Sequence, residues 1–139
     1  MNNTTTNVLA AALLAAFTLP SLAHHSFSAE FDESKPITLK GKVTKMEWIN
    51  PHSWIHIDVV GEDGKIVPWM IEAGTPNTLF RRGLTKNSLL PGTEVVVDGY
   101  QAKDGALRAN GRDLTLPNGK TLLIVSAGTG APDDDKLKK

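Results

Sequence analysis

All four histidines of this 139-residue chain lie between positions 24 and 56, and there is no cysteine. His24 and His25 directly follow Ser21-Leu22-Ala23, which carries small residues at the −3 and −1 positions of a signal-peptidase site. Cleavage after Ala23 leaves a chain whose first residue offers both an α-amine and an imidazole. A second imidazole follows at His25, and His52 and His56 supply two more. Copper binds nitrogen ligands well, and its place in the affinity order favours it over other divalent first-row ions. The α-amine has an ordinary pKa of about 7.7 to 8.0, so giving up its proton to a metal near pH 7 costs roughly 1 kcal/mol. A terminal amine, its own imidazole and one further histidine form the arrangement known as a histidine brace.

Spacing limits the ligand set. On a straight strand His52 and His56 lie about 13 Å apart at 3.3 Å per residue, too far for one mononuclear site. His52 sits beside Pro51 at a turn, where an N-terminal arm can reach it, and is the preferred third ligand. His25 and His56 are secondary. His56 and Asp58 share a strand face about 6.6 Å apart. The alternative is that the histidines have structural or incidental roles.

The aromatic residues offer a second chemistry. Trp54 lies opposite the apolar Ile55, Ile57, Val59 face, and an exposed aromatic there can stack on a sugar or a base. With Asp58 it makes a possible binding surface. Its alternative is packing beneath the N-terminal arm, on Phe27 or Phe31. Arg81-Arg82 reads as a solvated, dipole-compatible helix end, with an anion site as the alternative. No phosphate-binding glycine loop, His-Glu-x-x-His motif or nucleophile elbow occurs, so an enzyme enters only through a metal.

The elements that must position these residues are mostly strands. The apolar run Val8 to Leu19 is about a dozen residues, short of the roughly 20 that cross a bilayer. It reads as a cleaved signal, with no stable membrane insertion after cleavage and a periplasmic location. What remains is about 116 residues, one domain, with no net formal charge and so no electrostatic footprint for nucleic acid.

Ile37 to Val43 alternates, and then the apolar phase flips to Met46 and Trp48. Such a flip predicts a bulge near Thr44-Lys45. A second strand covers Ser53 to Val60. Gly61-Glu62-Asp63-Gly64 turns it into a third, Lys65 to Glu72, in which Pro68 marks an edge or bulge. Thr75-Pro76 starts a short helix with Leu79, Phe80 and Leu84 as its apolar stripe, ending near Gly83. Thr93 to Gly99, Ala106 to Leu116 and Lys120 to Val125 are further strands, the last two joined at Asn118-Gly119. The domain plan is a signal peptide at 1–23, an N-terminal arm at 24–36, a barrel domain at 37–125 and a disordered tail at 126–139. This order predicts an all-β fold with one short helix, an OB-like five-stranded Greek-key barrel with a long, bent first strand. A β-sandwich is the alternative.

Four motifs carry a resemblance. His24-His25-Ser26-Phe27, Trp48-Ile49-Asn50-Pro51-His52-Ser53-Trp54, Arg81-Arg82-Gly83 and Gly99-Tyr100-Gln101-Ala102-Lys103-Asp104-Gly105 together resemble domain-of-unknown-function family 6152, a family of small exported bacterial proteins. The resemblance covers nearly the whole mature chain except the tail. It implies a periplasmic location and an OB-like barrel, and it implies no activity. Three function classes follow: a copper-binding or copper-delivering module, a metal-free module binding a glycan, peptide or exported protein partner, and a copper-dependent redox enzyme.

Overall fold

The computed structural model describes residues 27–126 and 130–132. The elements run α1 (Phe27–Glu30), β1 (Phe31–Glu47), β2 (Trp54–Val60), β3 (Ile66–Glu72), α2 (Pro76–Arg81), β4 (Glu94–Ala102), β5 (Arg108–Thr115) and β6 (Thr121–Leu123). The described chain is thus mostly β, with one short helix between β3 and β4 and a single helical turn before β1.

The strands form one sheet in the order β3-β2-β1-β4-β5-β6, with a further pairing of β3 to β5. That last pairing is parallel and joins Met70, Ile71 and Glu72 to Arg108, Ala109 and Asn110. Pairing therefore passes from β1 through β2, β3, β5 and β4 and returns to β1.

β1 makes this circuit possible because it serves two partners. Its earlier part pairs with β4 and its later part with β2, and Gly41 and Lys42 pair with both. The register shifts between Val43 and Lys45, where the phase flip predicts a bulge. At Gly41 a Cβ would stand 2.5 Å from the Asp58 carbonyl oxygen, so only glycine allows the strands this close. β4 has its own irregularity between Asp98 and Gly99, where a Cβ on Gly99 would overlap the Asn110 carbonyl.

Alternation sorts side chains between two faces. Ile55 and Ile57 of β2, Ile71 of β3, Val95 and Val97 of β4 and Leu114 of β5 are buried together. Met46 and Trp48, on the flipped phase of β1, pack against the same cluster, as does Trp69. Helix α2 closes the cluster with Leu79, and Leu84 follows it in. The Thr75 hydroxyl accepts from the Thr78 amide at 3.2 Å, and Pro76 occupies the first turn. Phe80 is 64% exposed, so it leaves the expected stripe: one residue on from Leu79, it points about 100° away round the helix.

Two boundaries differ from the sequence reading. β1 begins at Phe31 rather than Ile37, with Phe31 opposite Ala102 and Pro36 opposite Tyr100. The exposed run Glu33–Pro36 breaks the alternation that would have revealed this start. Phe27, Phe31 and Ala102 form a second small buried cluster, with Tyr100 and Ala131 against it. At the other end, Ser126 is buried, although the Gly, Ala and Pro around it read as tail.

Candidate functional site

The loop from Trp48 to Ser53 returns β1 to β2 through a cis Asn50–Pro51 peptide. Its end is pinned: Ser53 donates its amide to Gly74 O at 3.1 Å and accepts the Ala73 amide at 2.8 Å. These bonds extend the β2–β3 ladder one step beyond Glu72. They set His52 at the rim of the outer face, the face away from the Ile55–Ile71 core.

The C-terminal segment reaches the same place. Gly74 donates to Ile124 O and Ile124 to Arg112 O, both at 2.8 Å. Arg82 donates through Nη1 to the carbonyls of Leu123 at 3.3 Å and Val125 at 2.7 Å. Arg82 is therefore a clasp on the C-terminal segment and neither a solvated helix end nor an anion site. The reason is that α2 ends beside the Leu123 and Val125 carbonyls, which accept from the Arg82 guanidinium. The held segment delivers Ser126, whose Oγ lies 2.9 Å from His52 Nδ1.

Glu72 completes the group. It alternates with Ile71 and so faces outward, yet its side chain is only 9% exposed, and that of His52 is 13% exposed. Glu72 Oε1 lies 3.7 Å from His52 Nδ1 and accepts from Asn110 Nδ2 at 3.3 Å. Asn110 is buried, and its Oδ1 has no hydrogen-bond partner among the described residues, nor has Ser53 Oγ. His52, Glu72, Asn110 and Ser126 thus form one buried polar cluster. It is not a nucleophile relay. A serine–histidine–carboxylate relay needs the hydroxyl on one ring nitrogen and the acid on the other, whereas both contacts here meet Nδ1.

The strand register extends the cluster. Glu47, Trp54, Glu72, Asn110 and Tyr100 are successive cross-strand partners over β1, β2, β3, β5 and β4. The neighbouring row is Lys45, His56, Met70 and Arg108. His56 Nε2 is 3.5 Å from Glu47 Oε1, beyond a good hydrogen bond, and it is buried with no hydrogen-bond partner among the described residues. Glu47 also pairs with Lys45. The Lys45 hydrogen bond lowers the Glu47 pKa from its ordinary 4.5; desolvation opposes this, and the charges of Lys45 and His56 assist it.

His52 and His56 therefore have different carboxylate partners, in keeping with their spacing. Trp54, half-buried, lies between them on the outer face. Phe27 and Phe31 are not its cover: Phe27 stacks on Phe31 at 5.9 Å and meets Tyr100 edge-on at 5.3 Å. Asp58, two residues past His56, is half-buried and lines an open groove of about 520 Å³ with Lys40, Lys42, Val60 and Ile66. Arg108 pairs with Glu30 at 3.6 Å and Asp104 at 3.3 Å, which ties α1 to the same face.

His24 and His25 lie outside the described residues. Among the described residues no three His, Asp or Glu side chains are grouped to hold an ion. Sequence reasoning missed Glu72, Asn110, Ser126 and Met70. One signal was available for Glu72: it is the only acidic residue in an otherwise apolar strand, out of phase with Trp69 and Ile71.

No curated protein and no solved structure matches the chain. A family model does match, over residues 11–111, from inside the first apolar run into β5 and across the loop, His52, His56, Glu72 and Asn110. With well over half of its length covered by that match, the chain belongs to the family of unknown function DUF6152.

Proposed function

We propose that this protein is a small exported copper-binding module built on an OB-like Greek-key barrel. The barrel reading is supported by the long bent β1, the helix between β3 and β4, and the parallel β3–β5 pairing that returns the circuit to β1. The copper reading rests on cleavage after Ala23, which makes His24 the terminal residue. Cu(II) is then held by the His24 amine and imidazole and by His52, with His25 secondary.

The observation that carries this reading is the setting of His52. A ligating histidine is ordinarily oriented through its other ring nitrogen by a carboxylate, carbonyl or hydroxyl. Ser126 Oγ hydrogen-bonds Nδ1 at 2.9 Å, and Glu72 Oε1 stands 3.7 Å away on the same side, so Nε2 is the ligating atom. The nearby carboxylate also offsets the charge of a divalent ion. The protein contains no thiolate to draw a softer ion to this place.

Calorimetry with Cu(II) tests the reading on three proteins: the chain beginning at His24, the same chain with one residue added before His24, and His52→Ala. Both changes weaken binding, by about 10- to 100-fold or more. Equal affinity in the extended chain refutes the brace.

A second reading is a metal-free module for a glycan, peptide or protein partner. Its support is the half-buried Trp54 on the outer β2–β3 face, the surface that OB barrels use for ligands. Loss of binding in Trp54→Ala, with unchanged stability, separates it from the copper reading.

A further inference from the structure

We propose a second metal site, for a soft monovalent cation of the Cu(I) type, made by His56 on β2 and Met70 on β3. It stands independently of the Cu(II) reading at His52.

His56 and Met70 are direct cross-strand partners. Partners directly opposite in an antiparallel pair share a face, with Cβ atoms about 4.5–5.5 Å apart. Both side chains point outward, because Ile55, Ile57 and Ile71 alternate with them into the core. An imidazole nitrogen and a thioether sulfur on such neighbouring stems can meet on one ion.

The polar surroundings give His56 Nε2 only a long contact and no well-formed hydrogen bond. The atom is buried and has no hydrogen-bond partner among the described residues. Its nearest carboxylate, Glu47, is 3.5 Å away and already engaged by Lys45. A buried ring nitrogen without a partner is costly, and an ion would satisfy it. A thioether in the middle of an outward polar row is equally unexpected, because Lys45, His56 and Arg108 are the other members of that row.

The donor set selects the ion. Thioether and imidazole together suit Cu(I), whereas calcium, magnesium and manganese require oxygen ligands. Trp54 lies two residues from His56 on the same strand face, within reach of a cation held there.

Ag(I), a redox-inert stand-in for Cu(I), tests the site on the full chain in chloride-free buffer. The readout is the NMR signal of the Met70 methyl group, with Met46, which packs against the core, as the internal control. Ag(I) is expected to shift the Met70 methyl and the His56 ring and to leave the Met46 methyl in place. His56→Ala and Met70→Leu are each expected to lower Ag(I) affinity at least about tenfold, and His52→Ala is not. Leucine matches methionine closely in volume, so Met70→Leu keeps the packing. A Met70 methyl that stays in place through saturation overturns the site. So does an Ag(I) affinity that falls in His52→Ala but not in His56→Ala.

Discussion

Removing the Arg82 clasp is expected to unlock the C-terminal segment and destabilise the whole fold. Its Nη1 serves two carbonyls, one at 2.7 Å and one at 3.3 Å. The shorter is a full charge-assisted bond, worth about 1.5–3 kcal/mol, and the longer adds little. Val125 is buried, so in Arg82→Ala its carbonyl loses a partner that water replaces poorly. The expected cost is about 2–3 kcal/mol. For a domain of just over 100 residues, at about 4 °C per kcal/mol, that is roughly an 8–12 °C fall in Tm. Urea unfolding followed by tryptophan fluorescence measures it. Arg81→Ala is the control, because Arg81 is exposed in the last turn of α2 and should cost under about 0.5 kcal/mol. Arg82→Lys should recover less than half of the loss, since the lysine ammonium falls one atom short of the Nη1 position that serves both carbonyls. An Arg82→Ala protein that loses no more stability than Arg81→Ala would show that Arg82 is no clasp.

Three further outcomes follow from the same geometry. Ile71→Ala should cost about 2–5 kcal/mol in chemical denaturation, because Ile71 is fully buried between strands, while Phe80→Ser should stay within about 0.5 kcal/mol, because Phe80 is exposed. Thr75→Ala should cost about 1 kcal/mol by removing the α2 cap, and Thr75→Ser should retain most of the stability. Carboxyl NMR should find Asp32 titrating below 3.8, through its hydrogen bonds from Ser34, and Glu47 below 4.5, through Lys45. Both pKa values are depressed in the folded state. Their contribution is therefore complete above the unfolded values and is lost as pH falls through the lower folded values; titration of either group at or above its ordinary value contradicts the contacts.

What the sequence reveals is local. The alternation of Ile55 and Ile57 against Trp54 and His56 is visible in a window of seven residues, and so is the phase flip that becomes the Val43–Lys45 bulge. Thr75-Pro76 announces α2 because a cap is a property of adjacent residues. The polar cluster is different. Glu72, Asn110 and Trp54 become neighbours only through the registers of β2 with β3 and β3 with β5. No local pattern encodes the register of β3 against β5, because the two pair in parallel across a long connection. Ser126 is hidden for another reason: it sits in a stretch of tail-like composition, and its burial depends on Arg82, which clasps the neighbouring Val125 across 43 positions. His52 is legible as a candidate ligand from its place at a turn, but its carboxylate and hydroxyl partners are not.

In the proposed site, Cu(II) is bound by the processed terminus together with an oriented His52. Electron paramagnetic resonance of one equivalent of Cu(II) on the chain beginning at His24, compared with its His52→Ala variant, tests it most directly. The expected spectrum carries hyperfine structure from the His24 amine, the His24 imidazole and the His52 imidazole, with the His52 contribution missing in the variant. Identical spectra from the two proteins would contradict it.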